Sequence, residues 1–243
     1  LVVLVHDVFP ENLIPSKVFS KKYYFLLKPI IFLFNLSYSN ANTLIAIGRD
    51  MKTILSKKIY STNLDIKYIP NFVDLNDIKI PIGVNKIDKK ITFNFFGNLG
   101  LVQGIENLLS AISITDNSNI KFNFIGNGIA EKYIEAFIKN NPSLDVNLYR
   151  DLSFENKNEM LCIGNIAIVS LSEGMKGLAV PSKTYFSMAA NKPILAIADE
   201  NSELQMLINE NKNIGWFCVA GNPRKLAALI NKIYEDGVDE NNE

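Results

Sequence analysis

The residues best equipped for chemistry fall in three short stretches and one isolated pair. Phe96-Gly97-Asn98-Leu99-Gly100-Leu101-Val102-Gln103-Gly104 follows an apolar run and opens a helical one. Glycines let backbone N–H groups approach an anion, and a helix start offers unpaired donors and the positive end of the dipole. A phosphate is the natural guest; a ligand-free turn needing positive φ would use the same glycines. Ile125-Gly126-Asn127-Gly128 sits in the same strand-to-helix setting and has the same two readings. The third stretch begins at Gly177 and runs through Pro181, Ser182, Lys183 and Tyr185 into Met188-Ala189-Ala190. Pro181 and Ser182 suit a helix start, so Lys183 falls in a first turn, where a cation opposes the dipole unless an anion binds there too. The alternative is a solvated surface lysine. Finally, His6 and Asp7 follow the apolar run Leu1–Val5. The carboxyl end of a strand suits a site, and a strand-end or core histidine is the bland alternative.

Elements that would position these residues follow from hydrophobic periodicity. The first part predicts a strand over 1–5, a helical region over about 13–38, a strand over 43–47, a helix over 49–59 and a strand over 66–69. A Pro- and Gly-bearing run over 79–90 is the linker candidate. Beyond it, six apolar runs (91–96, 120–125, 144–148, 166–171, 193–198, 214–219) alternate with six helical patterns (104–114, 129–140, 154–162, 182–190, 202–209, 222–234). That alternation predicts a parallel, doubly wound α/β sheet. The domains are therefore expected at 1–78 and 91–235, with a polar, acidic and disordered tail at 236–243. The chain opens without Met, directly on a strand, which points to missing N-terminal residues.

Composition narrows the function classes. The 243 residues are 48% hydrophobic and 21% charged, ordinary for a globular chain with a sizeable core. Twenty-five basic and 25 acidic residues balance, so no global field attracts nucleic acid. Cys162 and Cys218 lie far apart in apolar segments, which fits buried thiols in a reducing compartment rather than a disulfide. A single histidine argues against a metal site. The apolar stretch 23–36 is interrupted by Lys28 and Pro29 and is shorter than the ~20 residues a spanning helix needs. There is no basic start followed by a cleavable apolar run.

The stretches "IPNFVD" (69–74), "FFGNLGLVQGIENLLSAI" (95–112), "FIGNG" (124–128), "AVPSKTYFSMAANKPILA" (179–196) and "IGWFCVAGNPRKLAALINKI" (214–233) together resemble the large retaining glycosyltransferase family 4, and most nearly its bacterial branch for capsule and O-antigen polysaccharides. "LVHDVFPE" (4–11) and "NTLIAIGRDM" (42–51) resemble the second half of that family's N-terminal domain. The resemblance implies a GT-B fold: two Rossmann-like domains facing a cleft, here with an incomplete N-terminal one. The C-terminal domain would bind a UDP- or GDP-sugar and the N-terminal domain a lipid-linked or glycan acceptor. Transfer would need neither metal nor cofactor and would retain configuration, with the leaving diphosphate stabilised by basic side chains and backbone donors.

Carried over onto this chain, Gly97, Asn98, Gly100 and Gln103 would face the diphosphate, with Lys183 supplying the cation and Ser182 and Tyr185 beside it. Asn98 and Gln103 stand where many relatives have arginine and lysine. Gly126, Asn127 and Gly128 would border the base. Glu173 and Gly177 belong to the loop that carries the family's first glutamate, although Glu173 has no firm alignment with it. His6 and Asp7 would face the cleft from the acceptor side. Phe186 replaces a glutamate that often grips ribose. The segment 17–36, "KVFSKKYYFLLKPIIFLFNL", mixes lysines with aromatics and lies where a lipid-linked acceptor would arrive, so peripheral membrane contact and a plain packed helix both remain open. A catalytically incomplete nucleotide-sugar-binding module and a sugar-nucleotide 2-epimerase are the rival functions.

Overall fold

The computed structural model describes residues 1–60, 64–78, 90–115, 119–151 and 164–237. Two parallel sheets make up the frame. The first is three-stranded, β1 (Val2–Val5), β2 (Thr43–Ala46) and β3 (Asp65–Tyr68), in that order. Helices α1 (Lys28–Ser39) and α2 (Arg49–Lys58) connect them. The second has six strands: β4 (Ile91–Phe96), β5 (Ile120–Ile125), β6 (Asp145–Tyr149), β7 (Ile166–Ser170), β8 (Ile194–Ala198) and β9 (Gly215–Val219). Its spatial order is β6-β5-β4-β7-β8-β9, parallel throughout. Between its strands run α3 (Ile105–Ile112), α4 (Glu131–Asn140), α5 (Lys183–Ala189) and α6 (Glu203–Glu210), and α7 (Pro223–Asp236) follows β9.

Local chemistry explains most of these elements. In α3, Ile105, Leu108, Leu109 and Ile112 recur at helical spacing and all four are buried. Asn222 caps α7 by accepting from the Lys225 amide, and Pro223 takes a first-turn position where no N–H is needed. β8 is buried at every position, as a parallel strand covered on both faces must be.

Three expected elements come out differently. The helix predicted over 13–38 breaks into 3-10 turns at Glu11–Leu13 and Lys21–Leu27 before α1 starts. Lys17 sits at φ 59°, and Pro29 opens α1 because its ring fits a first turn but not a helix interior. Gly104 is left-handed, at φ 61° and ψ 33°, so α3 begins one residue later, after a 3-10 turn over Leu101–Gln103. At the other end α7 runs to Asp236, into the expected tail. The linker over 79–89, the helix over 154–162 with Cys162, and the tail beyond Gly237 lie outside the described residues; Cys218 is buried.

Two cores hold the layers together. One lies between one face of the large sheet and α3, α4 and α7, with Phe93, Phe95 and Phe124 at its centre. Each such side chain contributes about 1.5–3 kcal/mol by leaving water. The other core joins the two sheets: Val5, Leu44, Met51 and Leu55 from the small one pack with Val169, Ile194, Ala196 and Leu204 from the large one.

Candidate functional site

The large sheet changes winding direction between β4 and β7: from β4 the chain proceeds to β5 and β6 on one side, and from β7 to β8 and β9 on the other. A crevice opens at the carboxyl ends of two strands that wind apart, and open α/β sheets bind their ligands there. The loop after β4 and the loop after β7 meet at this point. The Ser170 hydroxyl donates to the Gln103 carbonyl (2.6 Å), and the Ser172 amide donates to the Val102 carbonyl (2.8 Å).

Around that crevice the first two glycine loops converge. Gly97 donates to the Ile125 carbonyl (2.8 Å), and Leu99 to the Asn127 carbonyl (2.9 Å). A Cβ on Gly126 would lie 2.0 Å from the Gly97 oxygen, and one on Gly128 2.4 Å from the Leu99 oxygen, so neither position has room for a side chain. These two glycines therefore serve loop-on-loop packing, a use that their spacing alone did not distinguish from ligand contact. Gly97 differs: at φ 107° it has open space where a Cβ would be. Asn98 and Gln103 both lean on Gly100, where a Cβ would meet the Asn98 amide nitrogen at 3.2 Å and Gln103 Oε1 at 2.7 Å. That Gln103 oxygen is buried without a hydrogen-bond partner. Asn127 is tied away, its amide donating to Asp151 Oδ1 (2.8 Å).

Lys183 is the first residue of α5. Its stem is partly exposed, but its Nζ turns inward, 3.6 Å from the centroid of the Phe95 ring and with no hydrogen-bond partner. Phe95 lies two residues before Gly97, so the amine sits at the carboxyl end of β4, under the first glycine loop. Burial away from water disfavours the ammonium and pulls its pKa down to about 7. Cation–π attraction to Phe95 offsets part of that loss. The sequence reading left open a solvated surface lysine; the buried amine removes that option. Ser182 precedes Lys183, exposed and making no side-chain cap.

The rest of the third stretch is engaged by other partners. Asp199, just past β8, holds the loop over 174–176 by accepting from the Gly174 and Lys176 amides (3.0 and 2.8 Å). Gly177 donates to Asp50 Oδ2 (2.9 Å), and a Cβ there would strike Ile54 Cγ1 at 2.6 Å. Gly177 thus lies in close contact with α2. Tyr185 points into the seam between the sheets rather than the crevice; burial first, then the charge of Glu203, pushes its hydroxyl up to about 12. Glu173 lies over Gly221. His6 and Asp7 are exposed, and Asp7 pairs through its backbone with Ala179, just upstream of Lys183. Partial burial raises the Asp7 carboxyl pKa, against the opposing charge of His6.

Sequence reasoning missed the residues that clamp this frame. Glu203, 1% exposed, accepts from the Arg49 amide and guanidinium (2.6 and 2.9 Å) and from the Tyr68 hydroxyl (2.9 Å). Asp50 Oδ2 also accepts from the Glu203 amide (3.1 Å). Arg49 and Asp50 stand right after β2, and Glu203 opens α6; charged residues at such places were the available signal, but pairing across 154 positions is not a local property. Among the described residues no group of His, Cys, Asp or Glu is arranged to hold a metal, and no helix is long and apolar enough to cross a membrane.

Comparison with known proteins places this arrangement. Residues 77–243 match the model of the family described as glycosyl transferases group 1. The probable glycosyltransferase WbjE of Pseudomonas aeruginosa is 40% identical over 243 residues, an alignment covering 96% of this chain and 60% of the relative. This chain thus spans about three-fifths of that relative's length. Among solved structures, HepE of Anabaena in complex with UDP and glucose has a TM-score of 0.70 at 18% identity, over 97% of this chain and 62% of its own. Sucrose-phosphate synthase of Thermosynechococcus elongatus has a TM-score of 0.75 at 16% identity, over 97% and 58%. These likenesses give the fold, the α/β GT-B architecture of glycosyltransferases. By its family match and its 40% identical relative, the chain belongs to the glycosyl transferases group 1 family.

Proposed function

We propose that this chain carries the donor site of a retaining, metal-independent sugar transferase, which moves a hexose-type sugar from UDP or GDP to a lipid-linked or glycan acceptor in surface polysaccharide synthesis, within the capsule and O-antigen branch of family 4. One observation carries the reading: the Lys183 ammonium, buried and unpartnered at the switch point of the sheet. A buried cation without a partner is costly, and an anion placed beside it removes the cost. A diphosphate between the Gly97–Gly100 loop and the start of α5 meets Lys183, the amide side chains of Asn98 and Gln103, and the backbone at Gly97. As the glycosidic bond to the diphosphate breaks, negative charge grows on the leaving oxygen, and the fixed ammonium stabilises it more than it does the ground state. His6 and Asp7, held beside the Ala179 strand bridge, face the reacting sugar from the acceptor side.

The exposed apolar side chains of the segment before and within α1, with Phe25 60% and Phe32 55% accessible, support contact with a membrane at the cytoplasmic face, where a lipid-linked acceptor resides. Changing Phe25, Leu26 and Phe32 to Ser abolishes vesicle binding on this reading while leaving the fold intact. The span of three-fifths of WbjE favours a second reading, in which this stretch binds the donor but turns it over only when the remaining chain is supplied. A thermal-shift series tests the core claim: UDP or GDP raises the melting temperature and Lys183→Ala removes that rise. The absence of any shift with either nucleotide sinks both readings, and binding without donor hydrolysis selects the second.

A further inference from the structure

The first turn of α5 gathers unmet polar groups. Lys183 Nζ, Thr184 Oγ1 and Tyr185 OH are all buried without a hydrogen-bond partner, and among the described residues no other three consecutive positions share that state. Buried polar groups are normally paired. Three orphans in one turn mark an element with a second position in which they are met. Successive helical residues stand about 100° apart, so Lys183 and Tyr185 point to nearly opposite sides of α5. The Lys183 amine lies on Phe95 under the first glycine loop, and the Tyr185 ring packs into the core that joins the two sheets. A small rotation of α5 therefore moves both groups at once. On the seam side an acceptor is near. Burial acts most strongly on the Tyr185 hydroxyl and the charge of Glu203 next, ahead of Arg49 and Asp50. Glu203 is fully engaged: Oε1 accepts from Arg49 Nη2 and the Tyr68 hydroxyl, both at 2.9 Å, and Oε2 from the Arg49 amide (2.6 Å) and Nε (3.1 Å). A carboxylate has about four acceptor positions, so a further donor must displace one of these. Tyr68 gives way most readily, because it is half-buried and its hydroxyl can turn to water. The buried Tyr185 hydroxyl has no such alternative.

We infer that Tyr185 is a positioning residue for Lys183: its hydroxyl replaces that of Tyr68 as donor to Glu203 when an anion draws the Lys183 amine towards the first glycine loop. The inference rests on the donor-site reading and gives α5 a second anchor, outside the crevice. Neither sheet moves against the other; the exchange involves one helix turn and two hydroxyls. By linkage, whatever favours the Tyr185–Glu203 bond tightens nucleotide binding by the same factor.

Two deletions of a single oxygen test it, with UDP and GDP as probes and binding read by calorimetry. Tyr185→Phe removes a hydroxyl that has no partner in the free chain. The free variant is expected to melt at or slightly above the wild-type temperature, yet to bind nucleotide about tenfold more weakly, the loss of one hydrogen bond to a charged group. Tyr68→Phe is expected to do the reverse: the free chain melts lower, and nucleotide binds about threefold more tightly because the competitor for Glu203 is gone. A merely structural role for Tyr185 would lower the melting temperature of the free chain and leave the affinity alone, and that result overturns the proposal. An affinity of Tyr185→Phe within about twofold of wild type, or a Tyr68→Phe variant that binds no more tightly, overturns it while leaving the donor site standing. Failure of the wild-type chain to bind either nucleotide overturns both.

Discussion

Two charged regions flank the same loop, and they are built in opposite ways. In the seam between the sheets, Arg49, Asp50, Tyr68 and Glu203 are engaged: the Glu203 carboxylate takes three kinds of donor, and Asp50 takes the backbone amides of Met51, Gly177 and Glu203, from both halves of the chain. Lys183, at the edge of the crevice, has an aromatic face and nothing else. Paired charges in a dry seam hold two sheets in one orientation, because every alternative arrangement leaves one of them exposed to an apolar wall. An unpaired charge in a dry place adds nothing to the frame, and it is on this charge that the proposed donor site rests.

The contrast breaks most visibly at Glu203. Glu203→Ala leaves the Arg49 guanidinium with only the exposed Glu210 and the Tyr68 hydroxyl without its acceptor, and is expected to destabilise the chain by about 3 kcal/mol, read as a fall of roughly 6–12 °C in melting temperature. A fall of under about 2 °C would show that the seam is not the clamp described here. Gly126→Ala comes next. Its new Cβ would overlap the Gly97 oxygen, and the φ of 141° adds strain, so a loss of about 2–3 kcal/mol is expected. Gly97→Ala, which has open space, loses only about 1 kcal/mol of backbone strain, and equal losses in a urea titration would contradict the division of roles between the two loops.

Lys183→Met should act with the opposite sign. It removes a buried, unpartnered ammonium while keeping the packing, and is expected to leave stability unchanged or raise it by about 1–2 kcal/mol at neutral pH while abolishing the nucleotide-induced thermal shift. The pH dependence follows from the depressed folded-state pKa of about 7 against about 10.4 unfolded. Between these values the unfolded chain holds more protons, so wild-type stability gains on that of the Met variant as pH rises from about 7 towards 10. Below about 7 the gap is at its widest and constant. Chemical denaturation of both proteins across that window reads it directly, and parallel curves would refute a buried amine. The smallest effect belongs to Glu210→Ala: its exposed pairing with Arg49 is worth under about 1 kcal/mol, and a loss comparable to that of Glu203→Ala would erase the distinction between rim and seam.

Much of the architecture was readable in advance because it rests on short-range pattern. The alternation of apolar runs with helical stripes is written within windows of a dozen residues, and it located the six strands of the large sheet to within a residue or two. Glycine after a strand and Pro-Ser-Lys at a helix start are likewise local, so the loops bearing Gly97, Gly100 and Lys183 stood out from the residues themselves, whereas Asn98 and Gln103 were named through the family resemblance. The roles of Gly126 and Gly128 were ambiguous because a turn glycine and a ligand glycine have the same local signature; only the close packing of a loop 29 positions away, at Gly97 and Leu99, shows the turn role. Tyr185 and Gly177 have partners that the local pattern did not show: successive residues of a short helix or loop face different neighbours, and the seam they pack into is made by Arg49, Asp50 and Glu203 from elsewhere in the chain.

Sequence alone therefore determined the α/β class, the strands and the position of the glycine loops after them, since backbone preference and hydrophobic period act over a few neighbouring residues. Tertiary structure decided that β4 lies beside β7, that the Lys183 amine turns inward onto Phe95, and that Asp50 and Glu203 bind the two sheets together. Those outcomes depend on which surfaces meet once the sheets pack, and on how much water is left around a charge when they do, quantities that a linear order of residues does not contain.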